Sequence, residues 1–226
     1  MPIIRHLRYA VRGLWFNKGF ALVAIVCLGF GVGLNTTIFS VVDGVVIQTL
    51  PYLDADRIVS VNGRNVKAGF DESAISYLDF QDWRAGQTSL AALAGTSYRS
   101  LTIADGAGEP ERFSGADVTW DLFPMLGKQP ILGRPFSESD DTPGAANVVL
   151  LSYTVWMNRY QGDPSVVGRK VLINTQPTEI IGVMPKEFEF PENQKLWVPL
   201  VPHQFKYTRE NRSVQAFGRL KPGVTV

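Results

Sequence analysis

The chain has 226 residues, 45% of them hydrophobic and 19% charged, with 22 basic and 21 acidic residues and a net charge of +1. That balance supplies no general attraction to nucleic acid, and the length allows one sizeable domain plus an accessory segment. Cys27 is the only cysteine, which excludes an internal disulfide and a thiolate metal site.

The charges are unevenly placed. Before Asp43 the only charged residues are Arg5, Arg8, Arg12 and Lys18. Their spacings of three and four, with Ile4, Leu7, Val11, Leu14 and Trp15 at matching apolar intervals, predict a basic amphipathic leader on a membrane surface over residues 1–18. From Gly19 to Val42 follow 24 residues without a charge. A bilayer core of ~30 Å needs about 20 helical residues, so this run is long enough to cross it. A cleaved signal peptide has an apolar stretch of roughly 7–15 residues and a small-residue cleavage site. Here the run is longer, and no alanine occurs between Ala24 and Ala55. A buried core helix is a poor fit to so long a run behind a purely basic flank. The reading is an uncleaved transmembrane helix over residues 19–48. Arg5, Arg8, Arg12 and Lys18 would hold the N-terminus in the cytoplasm and place the bulk of the chain outside it.

The segment "GFGVGLNTTIFSVV" opens with glycine at alternate positions. Leu34 stands where the third glycine of a dinucleotide fingerprint belongs, and no lysine lies between Lys18 and Lys67 to complete a nucleotide-phosphate loop. What remains is a column of small residues, Gly29, Gly33, Thr37, Ser40 and Gly44, which would let another membrane helix approach closely. Asn35, Thr36 and Asp43 add polar atoms that lipid alone cannot satisfy.

Pro51 ends the helical run, and Tyr52 suits an interfacial aromatic position. Residues 52–226 then read as short strands interleaved with short helices. "RIVSVNG" is a strand, and "SYLDFQDWRAG" is a helix capped by Ser76. "ERFSGADV" alternates as a strand, and "TWDLFPMLG" is a helix stopped by Gly127. "NVVLLS" is a buried strand and "YTVWMNRYQGD" a helix capped by Ser152. "RKVLINTQPTEIIGVMP" is a hairpin, and "KLWVPL" and "VQAFGRL" are strands. "GRPFSESDDTPGAAN" is the best internal loop. Strands and helices without regular alternation give an α+β body.

No catalytic constellation stands out. His203 is the only histidine outside the leader, in a stretch that reads as surface. Asp140 and Asp141, beside Glu138 and Ser139, lack calcium-loop spacing and read as a solvated loop. Asp79 and Asp82 lie one turn apart beside Trp83 and Arg84, as on a helix surface. The aromatic residues read as core. No cofactor or metal is expected, and scattered basic residues leave a nucleic-acid groove without support.

"GFGVGLNTTIFSVVDGVVIQTLPYLDADRIVSV", "FPMLGKQPILGRPF", "VVLLSYTVWMNRYQGDPSVVGRKVLIN", "IIGVMPKEFEFP" and "GRLKPGVTV" together resemble the ABC transporter permeases of the MacB/FtsX type, most of all the duplicated orphan permeases. The resemblance covers about Arg5 to Val226. It implies a first transmembrane helix followed by an extracytoplasmic core, with a porter-like α/β part and an inserted subdomain. It also implies that the chain is an N-terminal portion whose core stops short of its end, with further membrane helices to follow.

The expected function is a non-catalytic membrane subunit, or a piece of one, in an ABC-type transporter of the plasma (inner) membrane. Its extracytoplasmic core would meet a substrate or partner and be coupled to the membrane helix. Membrane lipid, other helices of a permease bundle and a separate ABC ATPase are the expected partners, with a homo-oligomer left open and no nucleic acid. A single-span anchored sensor or binding module is the alternative.

Overall fold

The computed structural model describes residues 17–42, 52–65, 70–106, 108–186, 188–201 and 208–225. Arg5, Arg8, Arg12, Asp43, Gly44, Pro51 and His203 lie outside the described residues, as does the side chain of Ser40. The chain divides into two units, Met1–Leu50 and Pro51–Val226.

In the first unit, helix α1 spans Lys18–Val42. Residues Ala21–Phe39 have a mean hydropathy of 2.0, and none of that stretch is buried. Ile25, Leu28 and Phe30 are each nearly 70% exposed (68, 69 and 69%). Such a surface is stable in lipid or against other apolar helices and unfavourable in water. Thr36 and Thr37 donate their hydroxyls to the carbonyls of Val32 and Gly33, both at 2.8 Å. These bonds within the helix satisfy both threonines without a polar neighbour.

In the second unit, Ile58–Val61 (β1), Gly63–Asn65 (β2), Phe70–Ser73 (β3) and Ile75–Ser76 (β4) lead into helix α2, Tyr77–Gly86. Ser76 caps α2 by accepting from the Asp79 N–H at 3.0 Å, as its position before the apolar positions Tyr77, Phe80 and Trp83 predicts. Strand β5, Leu90–Ala104, is the longest among the described residues and pairs with Glu111–Val118 (β6) over eight residue pairs. Leu122–Met125 forms a short helix, α3, ended at Gly127 with φ +67°, a left-handed stop that favours glycine. Leu132–Gly133 (β7) and Val148–Leu151 (β8) precede helix α4, Tyr153–Tyr160, capped by Ser152. Lys170–Ile173 (β9) and Gln176–Val183 (β10) form the predicted hairpin. Its two turn residues, Asn174 and Thr175, both have positive φ, which matches the right-handed strand twist. Leu196–Pro199 (β11) and Arg212–Leu220 (β12) complete the sheet.

The main sheet runs β1-β12-β5-β6-β11-β8-β10-β7. The chain leaves at the end of β6, builds β7 to β11, and returns to place β12 beside β5. The segment between β6 and β12 is therefore inserted between neighbours of one sheet, as expected for a porter-like domain with an inserted subdomain.

One pairing changes the architecture. Besides its hairpin partner β10, β9 pairs with the far end of β5, Ile173 opposite Ile103 and Leu172 opposite Ala104. The Asn174 side chain accepts from the Thr102 N–H at 2.9 Å across this seam. Strands β5, β6, β11, β8, β10 and β9 thus close into a six-stranded barrel, with the other half of β5 left in an open sheet. Closure removes two strand edges that would otherwise present unpaired backbone groups.

Alternation along the strands sorts the core. Leu101, Ile103, Val149, Leu151, Ile173, Ile180, Leu196 and Val198 fill the barrel, with Val155 and Tyr160 of α4 packed among them. The opposite face carries Val118, Phe123, Leu150, Phe188 and Trp197. There the Phe123 ring meets Trp197 edge-on at 6.0 Å and Phe188 at 5.6 Å. Tyr52, expected at a membrane interface, packs edge-on against Phe190 at 5.5 Å and Phe188 at 6.3 Å. A third cluster lies where α2 covers the open half of the sheet, through Phe80, Leu93, Val214 and Ala216.

Candidate functional site

The two units present two candidate sites. On α1, Gly29 and Gly33 are four residues apart, Thr37 follows at the same interval, and the Ser40 backbone continues the helix. A methyl group added at Gly29, Gly31 or Gly33 would meet nothing within 4 Å. Among the described residues, nothing beyond the helix's own backbone crowds these glycines. The Thr37 hydroxyl turns back onto the Gly33 carbonyl, so the threonine presents a small, internally satisfied surface.

In the second unit, the barrel has two unlike ends. Where β5 finishes, α4 seals it. Arg159, whose side chain is only 7% exposed, donates to Asp105 Oδ1 at 2.7 Å and to Asp105 Oδ2 at 3.3 Å. The Tyr160 hydroxyl donates to Asp105 Oδ2 at 2.6 Å. Burial and the Asp105 carboxylate push the Tyr160 hydroxyl pKa well above its ordinary value, so it is a fixed proton donor. Charge neutralisation and a complete set of hydrogen bonds make this buried pair tolerable.

The opposite end is an open mouth, where β8 and β10 begin and β9 and β11 finish. A cavity of about 440 Å3 lies here, lined by Arg99, Asp140, Asn147, Asn174, Thr178, Val198 and neighbouring residues. Asp117 of β6 and Arg99 of β5 sit on the barrel-facing side of their strands, in alternation with Phe113, Leu101 and Ile103. Arg99 Nε lies 3.4 Å from Asp117 Oδ1. Asp117 is 2% exposed, and no hydrogen bond reaches its Oδ1. Its pKa is pushed up to about 7 because burial outweighs the attraction of Arg99. This residue therefore exchanges its proton near neutral pH.

Asp140 and Asp141 contradict their sequence reading as a solvated loop. Asp140 is buried and is held by Arg134 at 2.7 and 3.1 Å and by the Ser137 N–H at 2.7 Å. Burial raises its carboxyl, but these bonds outweigh burial and keep it below the ordinary carboxylate range. Asp141 accepts from the Trp120 N–H at 2.8 Å, and burial pushes its pKa up to about 7. Arg84 of α2, 2.7 Å from Asp121, ties the neighbouring carboxylate. These aspartates cap and cross-link the 134–141 turn because its backbone leaves N–H groups that need acceptors. Among the described residues no group of three or more His, Cys, Asp or Glu could hold a metal ion. Asp79 and Asp82 do lie on a helix surface, where Arg209 bridges them at 2.5 and 2.8 Å.

Neither Arg99 nor Asp117 stands out in the sequence reading. The one available signal is a lone carboxylate in the apolar half of "ERFSGADV", between Ala116 and Val118.

The sequence pattern of the MacB-like periplasmic core domain family matches residues 21–226. The macrolide export ATP-binding/permease protein MacB of Campylobacter jejuni subsp. jejuni (strain 81-176) is 25% identical over 164 residues, which is 65% of this chain and 25% of that protein. The chain thus aligns with about a quarter of that relative's length. Among solved structures, a domain assigned to a permease of Porphyromonas gingivalis superposes with a TM-score of 0.60 at 17% identity, covering 77% of this chain and 79% of that one. The periplasmic region of MacB from Actinobacillus actinomycetemcomitans superposes at 0.58 and 16% identity, covering 74% and 76%. At these identities the superpositions establish the fold.

Proposed function

Because the chain belongs to the MacB-like periplasmic core domain family, we propose that it is the membrane-anchored, extracytoplasmic core of an ABC-type permease, non-catalytic in itself. In this reading residues 1–18 lie on the cytoplasmic surface, residues 19–48 cross the inner membrane once, and residues 52–226 form the periplasmic core. Energy would come from a separate ABC ATPase, and the core would transmit movement of the helix to a substrate or partner outside the membrane.

The observation that carries the proposal is the surface of α1. A 25-residue helix whose apolar side chains stand open over its length needs lipid or other apolar helices around it. Gly29, Gly33, Thr37, Ser40 and Gly44 are the face we assign to those helices, because small residues let backbones approach where lipid supplies no hydrophobic drive. Arg5, Arg8, Arg12 and Lys18 are the residues we assign to orientation.

The test is topology mapping in a Gram-negative host. Alkaline phosphatase fused after residue 226 should be active, and a fluorescent protein fused at residue 1 should fold in the cytoplasm. Replacing the four basic residues by glutamate should lower phosphatase activity. An inactive C-terminal phosphatase in the wild-type fusion would overturn the assignment.

A further inference from the structure

On the face of the open sheet away from α2, strands β1, β12 and β5 floor a cleft of about 380 Å3, a size that holds small ligands. Register puts Ser60 beside Phe217. Gln215 lies two residues before Phe217 on the same face, and Tyr98 lies two beyond Thr96, the β5 partner of Gln215. The Tyr98 and Phe217 rings thus stand four strand positions apart, roughly 13 Å along the sheet, with Gln215 between them. Phe190 meets Phe217 edge-on at 4.9 Å and fixes its ring, while Tyr98 is 37% exposed. Asn62 and Glu192 stand at the rim. The polar groups of the cleft are uncommitted. Among the described residues the Gln215 amide, the Asn62 side-chain NH2, the Glu192 carboxylate and the Tyr98 hydroxyl have no hydrogen-bond partner, and Asn62 Oδ1 accepts only from Ser60 Oγ at 3.2 Å. Burial, and then the Glu192 charge, raise the Tyr98 hydroxyl pKa above its ordinary value, so it stays a donor. Thr96 and Ser213, neighbours of Gln215 on this face, carry buried hydroxyls with no partner among the described residues. Buried polar groups are normally paired, so this face is short of hydrogen-bonding partners from its interior to its rim. No lysine or arginine is among the described residues that line the cleft, and its one charge is the Glu192 carboxylate.

We propose that this cleft binds a neutral disaccharide, with its pyranose rings against Tyr98 and Phe217 and its hydroxyls shared among Asn62, Gln215 and Glu192. A pyranose presents an apolar C–H face and a rim of hydroxyls that both donate and accept. Aromatic side chains offer that face a flat apolar surface and lose little conformational entropy on binding. Side-chain amides donate and accept in turn, and a carboxylate accepts on both oxygens, more strongly for being charged. A phosphate or carboxylate ligand would find no counter-charge here and would meet Glu192. A small organic cation would use Glu192 but leave both amides idle. The separation of the two rings suits two sugar units rather than one. Residues 60–217 build the cleft by themselves, so saccharide binding is independent of the membrane topology proposed above.

The test uses the full chain in phospholipid nanodiscs, which carry no sugar headgroup. Cellobiose and N,N′-diacetylchitobiose are the probes, glucose is the single-ring control and choline the organic-cation control. Saturation-transfer NMR and calorimetry near neutral pH read the binding. One or both disaccharides should bind saturably and about tenfold more tightly than glucose, because the second ring adds its own contacts, and choline should bind more weakly than either. Tyr98→Ala and Gln215→Ala should each weaken disaccharide binding about tenfold, and Glu192→Gln about threefold to tenfold. Glu192 is exposed at a turn, so Glu192→Gln remains informative if Gln215→Ala fails to fold. Absence of saturable disaccharide binding in the wild type, choline bound more tightly than either disaccharide, or affinity unchanged in both Tyr98→Ala and Glu192→Gln overturns the proposal.

Discussion

Asp117→Asn is expected to stabilise the protein most at alkaline pH, by an amount that shrinks as pH falls toward 4. The carboxyl is 2% exposed, beside an arginine that compensates only part of its burial. In the unfolded chain an aspartate titrates near 3.8, and in the folded protein this one titrates near 7. Between those values the native state holds a proton that the unfolded state has released. Stability is therefore greatest below pH ~4, falls as pH climbs, and levels off above about 7. The interval corresponds to at most ~4 kcal/mol. Relaxation at the open mouth and loss of the carboxylate beside Arg99 reduce this, and about 2 kcal/mol is the expected gain for the amide at pH 8. For a chain of this size that is a Tm increase of roughly 4–8 °C. Thermal melts followed by tryptophan fluorescence, for wild type and variant at pH 5 and pH 8, measure it. A variant less stable than wild type at pH 8, or stabilised equally at both pH values, refutes the reasoning.

Other expectations follow from the same contacts. Asp105→Ala strands Arg159 in the sealed end of the barrel and should cost ~3–5 kcal/mol, read from the same melts; Arg209→Ala, at the exposed bridge to Asp79 and Asp82, should leave Tm unchanged. Gly133 has φ +81°, and an added Cβ would run into the Ile181 carbonyl. Gly133→Ala should therefore destabilise by more than the ~1–2 kcal/mol of the left-handed conformation alone, detectable as loss of folded protein on expression. Gly29→Leu and Gly33→Leu should leave the helix content of the isolated chain unchanged by circular dichroism, because no described residue outside the helix's own backbone crowds those positions. Cross-linking to other helices of a permease complex should fall, because a leucine at either position blocks the close backbone approach that small residues allow.

Local physics was legible residue by residue. Ser76 and Ser152 announce α2 and α4 because a short hydroxyl side chain satisfies backbone N–H groups that a helix start leaves open. Gly127 marks the end of α3 for the complementary steric reason. Strand β5 was not legible, since "LAALAGTSYRSLTIA" opens with residues of no strand preference and becomes a strand only by pairing with β12, β6 and β9. The aspartates at 140 and 141 read as solvated because acidic turn residues usually face water. Their burial depends on Arg134 and on the Trp120 N–H, which the fold brings to them.

The sequence by itself determined that an uncharged 24-residue run behind four basic residues precedes an α+β body, because span length and hairpin chemistry act over neighbouring residues. It also carried the family's signature. Only the tertiary structure decided that six strands close into a barrel and that Arg99 and Asp117 face each other at its mouth. Alternation along a strand separates its two faces, but it does not say whether a face lines an open sheet or a closed interior. That choice rests on β9 reaching β5 some seventy residues back in the chain, a pairing favoured only once the strands between them are in place.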